Sequence, residues 1–112
     1  QIWSKAAVQA ISSDGSSGES TVFASTKTIA APLAAFCNGI ATHGFELDDL
    51  ISESVVHPGA IVVPAVLAAA ESHGVKGERV VLGIIAGYEM MHRLGMALGL
   101  EPAKRGYHTT GI

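Results

Sequence analysis

The chain has 112 residues, 48% of them hydrophobic and 15% charged, with a formal net charge of −3. This composition excludes general disorder, and the charge leaves no basic face for nucleic acid. A chain of this length forms one domain or part of one, burying roughly two-thirds of its unfolded surface.

Aromatic residues are scarce and alanine and glycine plentiful, which suits closely packed helices; the expected fold is an all-α helical bundle. Residues 2–11 fit a short amphipathic helix, and residues 12–20 a Ser/Gly-rich loop. Thr21-Val22-Phe23-Ala24 reads as a short extended piece. Pro32 suits the first turn of a helix running to about Glu46, with Leu33, Phe36, Cys37 and Ile40 on one stripe. About ten loop residues lead to Pro58, again placed at a helix start, and that helix reaches Ser72 with Gly74 as its stop and Pro64 as a kink. A long helix is expected from about Glu78 to Leu98, with Ile84, Tyr88, Met91, Gly95 and Leu98 on one stripe and Glu89 and Arg93 spaced to pair. Residues 99–107 read as a loop, and His108-Thr109-Thr110 as a fresh helix start.

Cys37 is the single cysteine, so no intrachain disulfide forms and a reducing, cytoplasmic setting is expected. The longest apolar run, Ala60 to Ala70, is too short to span a bilayer and contains Pro64. No signal peptide is visible, and a start at Gln1 without methionine suggests processing or truncation. The Ala60–Ala70 helix is apolar on every side and should be buried on every side. Three or four helices can hardly surround one of their own number, so a partner chain or the remainder of a larger protein is expected to complete the core; the end within a helix start favours the latter.

The chemistry gathers between Asn38 and Pro64. Glu46, Asp48, Asp49 and Glu53 follow the end of one apolar helix, and His57-Pro58-Gly59 opens the next. Free N–H groups and the dipole at a helix N-terminus favour anions and keep a neighbouring imidazole neutral, available as a base. His108 repeats the arrangement before Thr109-Thr110-Gly111, following Lys104 and Arg105. Two helix mouths, two histidines and two cations suit a substrate with several carboxylates, while the acids orient a histidine, take a proton or hold hydroxyls. Each residue also has a plain structural reading. His57 would be a cap, Asp48-Asp49 a solvated helix end, and Lys104 and Arg105 surface charges. His43 and His92 would face solvent or bond a backbone carbonyl, and His73 would cap a helix C-terminus. Cys37 reads as inert core, Gly83 and Gly87 as close helix contacts, and Tyr88 as core with its hydroxyl satisfied. A metal site on Asp48, Asp49, His57 and His43 has suitable ligand types but no fixed ligand spacing, and none is assigned.

NGIATHGFELDDL followed by HPGAIVVPAVLAAAE resembles the signature of the 2-methylcitrate dehydratase (MmgE/PrpD) family, which includes cis-aconitate decarboxylase and iminodisuccinate epimerase. GYEMMHRLG and RGYHTTG resemble later motifs of the same family in the same order, so the resemblance covers about residues 20–112. It implies a larger enzyme with an all-helical main domain and a smaller lid domain, commonly a cofactor-independent homodimer acting on small di- or tricarboxylates. The chain would be the early part of the helical domain, inactive without the lid and the family's later lysine. By the same resemblance His57 and His108 match the two active-site histidines, and Glu46-Leu47-Asp48-Asp49 the acidic motif. Departures are Leu50 where many members have threonine, a loop from Asp49 to His57 one residue longer than in the decarboxylase, and Thr109 in place of proline; they leave open whether methylcitrate or aconitate is the substrate and suggest a less characterised branch.

The implied chemistry is proton removal beside a carboxylate, followed by loss of water, loss of carbon dioxide or reprotonation. His57, His108, Asp48 and Asp49 would carry it, with Glu46, Lys104, Arg105 and Thr109 binding substrate. The rival expectation is a non-catalytic helical binding or assembly protein derived from such an enzyme.

Overall fold

A computed structural model describes residues 2–12, 17–23 and 25–111. The middle of the Ser/Gly loop (13–16), the last residue of the expected extended piece (24) and the final residue (112) lie outside them. The described residues form α1 (Ile2–Ser12), strands β1 (Ser20–Thr21) and β2 (Thr28–Ile29), α2 (Ala31–His43), α3 (Pro58–His73), α4 (Gly77–Leu98), a short α5 (Glu101–Lys104) and a 3₁₀ turn at Thr109–Gly111. The fold is helical, as composition and periodicity imply. Sequence reasoning missed two elements, α5 within the expected 99–107 loop and β2, which pairs antiparallel with β1.

Local chemistry explains most boundaries. Pro32 and Pro58 occupy the first turns of α2 and α3, where the missing N–H costs nothing. Gly74 ends α3 in the left-handed region at φ 60°, and Val75 N donates to Ala70 O at 2.9 Å. α2 stops at His43, short of the expected Glu46: Gly44 still has helical angles (φ −58°, ψ −14°), and it is Glu46, at φ 50°, that turns the chain away. The 3₁₀ turn begins where a helix start was expected after His108.

The ribbon is fastened by side chains. Asn38, 2% exposed, accepts from Phe23 N at 2.8 Å and donates to Thr21 O at 2.9 Å. Ser20 Oγ donates to Ala68 O at 2.7 Å, and both carboxylate oxygens of Glu71 accept from Thr21. These bonds satisfy polar groups that burial would otherwise penalise. Beneath them Val22, Ile29, Ala34, Cys37 and Ala68 form a buried cluster, joined by Val8, Ile11 and Leu33. Cys37 is core, and burial raises its thiol pKa, which disfavours the reactive thiolate. Phe36 leaves the expected α2 stripe and is exposed; Ala34 and Asn38 are buried instead.

α3 lies between α2 and α4. Pro64 has no N–H to give to Ala60 O, and this carbonyl is the atom a Cβ on Gly39 would meet at 3.0 Å. The two helices therefore approach where α2 carries no side chain. On the other side, added Cβ atoms at Gly83 and Gly87 would stand 3.1 and 2.5 Å from valine methyls of Val66 and Val62, so these glycines do serve close contact. The complete burial expected for Ala60–Ala70 is not reached within this chain. Ile61, Ala65 and Ala69, at four-residue spacing, stay exposed, as do Val81, Leu82 and Ile85 of α4.

Gly87→Ala should cost about 1–3 kcal/mol by overpacking against Val62, whereas Gly77→Ala, with open space at its Cβ, should not destabilise. Denaturant unfolding of both variants checks this; equal stabilities would contradict the close α3–α4 contact.

Candidate active site

The loop from Gly44 to His57 joins the C-terminus of α2 to the N-terminus of α3. Ile51 and Val56 bridge across it, with Ile51 N donating to Val56 O at 3.0 Å. Between them Val55 takes φ 52°, a costly conformation for a β-branched residue. The Thr109 hydroxyl donates to Val55 O, and buried Ser54 contacts His92 of α4, Oγ to Nδ1, at 3.1 Å. Two distant segments thus over-determine the strained corner.

The acidic residues after α2 are misplaced for that helix, because carboxylates are unfavourable at a C-terminus. The fold resolves this by turning them toward neighbouring groups. Asp49 Oδ1 accepts from Gly59 N at 3.0 Å, satisfying one of the free N–H groups of α3. The Tyr88 hydroxyl bonds the same carboxylate, and its pKa is raised, first by burial and then by that bond. Gly59 makes room for both: a Cβ there would overlap the Asp49 carboxylate and come within 2.8 Å of the Tyr88 oxygen.

Asp48 is turned to the histidines. Its side chain is 6% exposed, and its oxygens lie 3.0 and 3.2 Å from His43 Nδ1 and, on one side, 3.6 Å from His57 Nδ1. His57 caps α3, and its backbone N–H donates to Thr110 Oγ1 at 3.0 Å, docking the 3₁₀ turn on the helix mouth. His108 precedes that turn, accepts from Thr110 N at Nδ1 (3.3 Å), and places Nε2 3.8 Å from Glu46. Ring centroids are 4.8 Å apart for His43–His57, 5.3 Å for His43–His108 and 6.4 Å for His57–His108. Two buried ring nitrogens, His43 Nε2 and His57 Nδ1, have no hydrogen-bond partner among the described residues, which is uncommon for buried polar atoms.

Of the residues singled out from sequence, His57, His108, Asp48 and Glu46 come together. Asp49 sits behind them at the start of α3, and Thr109 braces the loop. Glu53 lies apart and exposed, its pKa lowered by its own backbone and by Ser52. Lys104 pairs with Glu101 at 2.7 Å on exposed α5; Arg105 borders a surface depression with Leu98, Pro102 and Tyr107. No described contact of either cation reaches the imidazoles. His43, expected to face solvent or bond a carbonyl, is instead a member of the cluster. Its signal was its place in the last turn of α2, five residues before Asp48, with the chain turning at Glu46 between them.

Donor atoms of His43, Asp48 and His57 lie within 4.8 Å of one another, as do those of His43, Glu46 and His108. Each group has metal-binding residue types, but the His43–Asp48 contact is already a hydrogen bond, and Asp49 stands in neither group. These residues are not assigned to a metal.

Tyr88→Phe should lower stability by about 1 kcal/mol, the net worth of one hydrogen bond. Because the folded Tyr88 pKa is raised above its ordinary value of 10.0, the stability it contributes is full below pH 10 and is lost as the pH climbs through the raised value. Wild-type and Phe variants compared by unfolding at neutral and alkaline pH should therefore converge at high pH; a constant difference would exclude the bond.

The model of the MmgE/PrpD N-terminal domain matches residues 1–112. The chain is similar to cis-aconitate decarboxylase of Aspergillus terreus, 34% identical over 116 residues that cover 98% of this chain and 24% of the relative. It is also similar to cis-aconitate decarboxylase-like protein oryM of Aspergillus oryzae, 31% identical over 115 residues that cover 96% of this chain and 24% of the relative. The chain therefore spans about a quarter of the length of these curated relatives. No solved structure matches it significantly. With its whole length matched by the model of the N-terminal domain, the chain belongs to the MmgE/PrpD family.

Proposed function

We propose that the histidine cluster is one wall of a lyase active site that moves a proton at a carbon beside a carboxylate of a small di- or tricarboxylate. The observation that carries this reading is the buried Asp48 carboxylate between two imidazoles, His43 and His57, with nitrogens of both left without partners. Imidazole holds and releases protons near neutral pH, and a carboxylate behind it fixes its orientation and balances the cation that forms.

The activity for which the relatives are named gives the reading a concrete form. When cis-aconitate loses carbon dioxide, the C–C bonding pair stays on the substrate, delocalised toward the remaining carboxylates, and a proton must be delivered to carbon. An imidazolium at His57 or His108 supplies it. In a dehydration the same groups run differently: a neutral imidazole removes the proton and an acid assists the departing hydroxide. Substrate carboxylates need cationic partners, for which we assign Lys104 and Arg105. The exposed Lys104–Glu101 pair is worth no more than about 1 kcal/mol, so exchanging Glu101 for a substrate carboxylate costs little. Glu46 beside His108 and the Thr109 brace complete the binding side. The uncovered apolar stripes of α3 and α4 support association, and we take the working protein to be a cytoplasmic homodimer.

In the intact protein His57→Asn should reduce cis-aconitate turnover by about 10²–10⁴-fold, the usual worth of a positioned acid–base group, with the helical circular dichroism unchanged. Wild-type turnover in that variant would remove His57 from the chemistry.

A further inference from the structure

Asp48 does not treat its two histidines alike. His43 Nδ1 lies at hydrogen-bond distance from both carboxylate oxygens, 3.0 and 3.2 Å, while His57 Nδ1 stands 3.6 Å from one. A carboxylate is an acceptor only, so the close contact requires the proton on Nδ1 of His43. The ring's lone pair is then on Nε2, the atom that is buried and without a partner. His43 also occupies the last turn of α2, where the carbonyl end of the helix favours a cation. Its ring lies nearer to each of the other two than they lie to each other, at 4.8 and 5.3 Å against 6.4 Å.

We propose that His43 is the central proton carrier of the cluster: Asp48 holds its Nδ1–H, and Nε2 exchanges protons with the groups that meet substrate. When an imidazolium at His57 or His108 gives up its N–H, a new N–H forms at His43 Nε2, directly or through one water, while the Nδ1–H stays on Asp48. The positive charge created on His43 then faces the negative charge of Asp48, so the proton is stored without an unpaired buried cation. Charged or titratable groups facing His43 are Asp48 and Glu46 from the loop, His57 from the start of α3 and His108 before the 3₁₀ turn. Along α2 and α3 it is bordered by apolar Ile40, Ala60 and Ile61.

The consequence for catalysis rests on the function proposed above; the tautomer does not. In the intact protein with labelled histidine, ring nitrogen NMR should show neutral His43 as the Nδ1–H tautomer, the form free histidine disfavours, and Asp48→Ala, which leaves no acceptor at this position, should abolish that preference. An Nε2–H tautomer in the wild type, or no change in Asp48→Ala, overturns the proposal whether or not cis-aconitate is turned over. The kinetic arm uses His43→Asn, whose side-chain N–H reproduces the Nδ1 donor toward Asp48 but carries no proton. Cis-aconitate turnover should fall at least about 10²-fold, and the kcat/KM pH profile should lose one ionisation. Wild-type turnover and profile in His43→Asn would make His43 a strut for Asp48 and nothing more. If His57→Asn is fully active while the tautomer is as expected, the proposed function fails and the assignment of Asp48 to His43 stands.

Discussion

The close approach of α2 and α3 at Gly39 and Ala60 governs everything that happens at the site. Helix packing usually separates axes by the width of interleaved side chains. Here α2 presents no Cβ at Gly39, and α3 presents a carbonyl that Pro64 cannot satisfy. The approach puts the end of α2 beside the start of α3, so His43 and His57 become neighbours although a 13-residue loop separates them in the chain. A bulkier side chain at residue 39 would push α2 outward and move His43 away from both Asp48 and His57. The α3–α4 contact at Gly87 and Val62 fixes the other flank, holding Tyr88 against Asp49 and the first turn of α3.

Once this frame exists, the loop's polar groups divide by what they can bond. Asp49 is used structurally, between an amide of α3 and the Tyr88 hydroxyl. Asp48, one residue earlier and on the opposite side of the chain, is free to serve imidazoles. With its side chain only 6% exposed it is an effective charge partner, because little water competes for it. Nearby, two buried imidazole nitrogens have no partner among the described residues, and Val55 stands in the left-handed region. Such costs persist in a fold when surrounding bonds over-determine them, and they collect at functional sites. Here Thr109, Thr110 and His92 supply those bonds from segments far along the chain.

Much of the frame was legible in the sequence because it is written in local signals. Pro32, Pro58 and Gly74 mark helix ends by what their backbones can and cannot do, and the small residues of α4 mark its packed face. The acids and His57 were recognisable as a site because carboxylates after a helix C-terminus have no local reason to be there. The shortfall lies where long-range contact overrides local preference. β2 carries no strand signal of its own and exists by pairing with β1, and the Asn38 clasp joins residues 15 and 17 positions apart. Phe36 obeys the helical period yet faces outward, because the ribbon and α3 take the sides next to it. His43 reads in the sequence as an ordinary helix-end histidine; the turn at Glu46, φ 50°, is what brings Asp48 onto it. Lys104 and Arg105 precede His108 in sequence, but α5 turns them to the exterior, and proximity in the chain did not become a described contact with the cluster.

If the three clustered imidazoles face substrate, the other two histidines serve as the control. His73 bonds Ala69 O at the end of α3, and His92 bonds Ser54 behind the loop. The most direct measurement is a titration of the intact protein with propane-1,2,3-tricarboxylate, an unreactive tricarboxylate, followed through the ring signals of all five histidines. The account predicts saturable shifts at His43, His57 and His108 with His73 and His92 unmoved. Shifts confined to His73 or His92, or a cluster indifferent to saturating ligand, would contradict it.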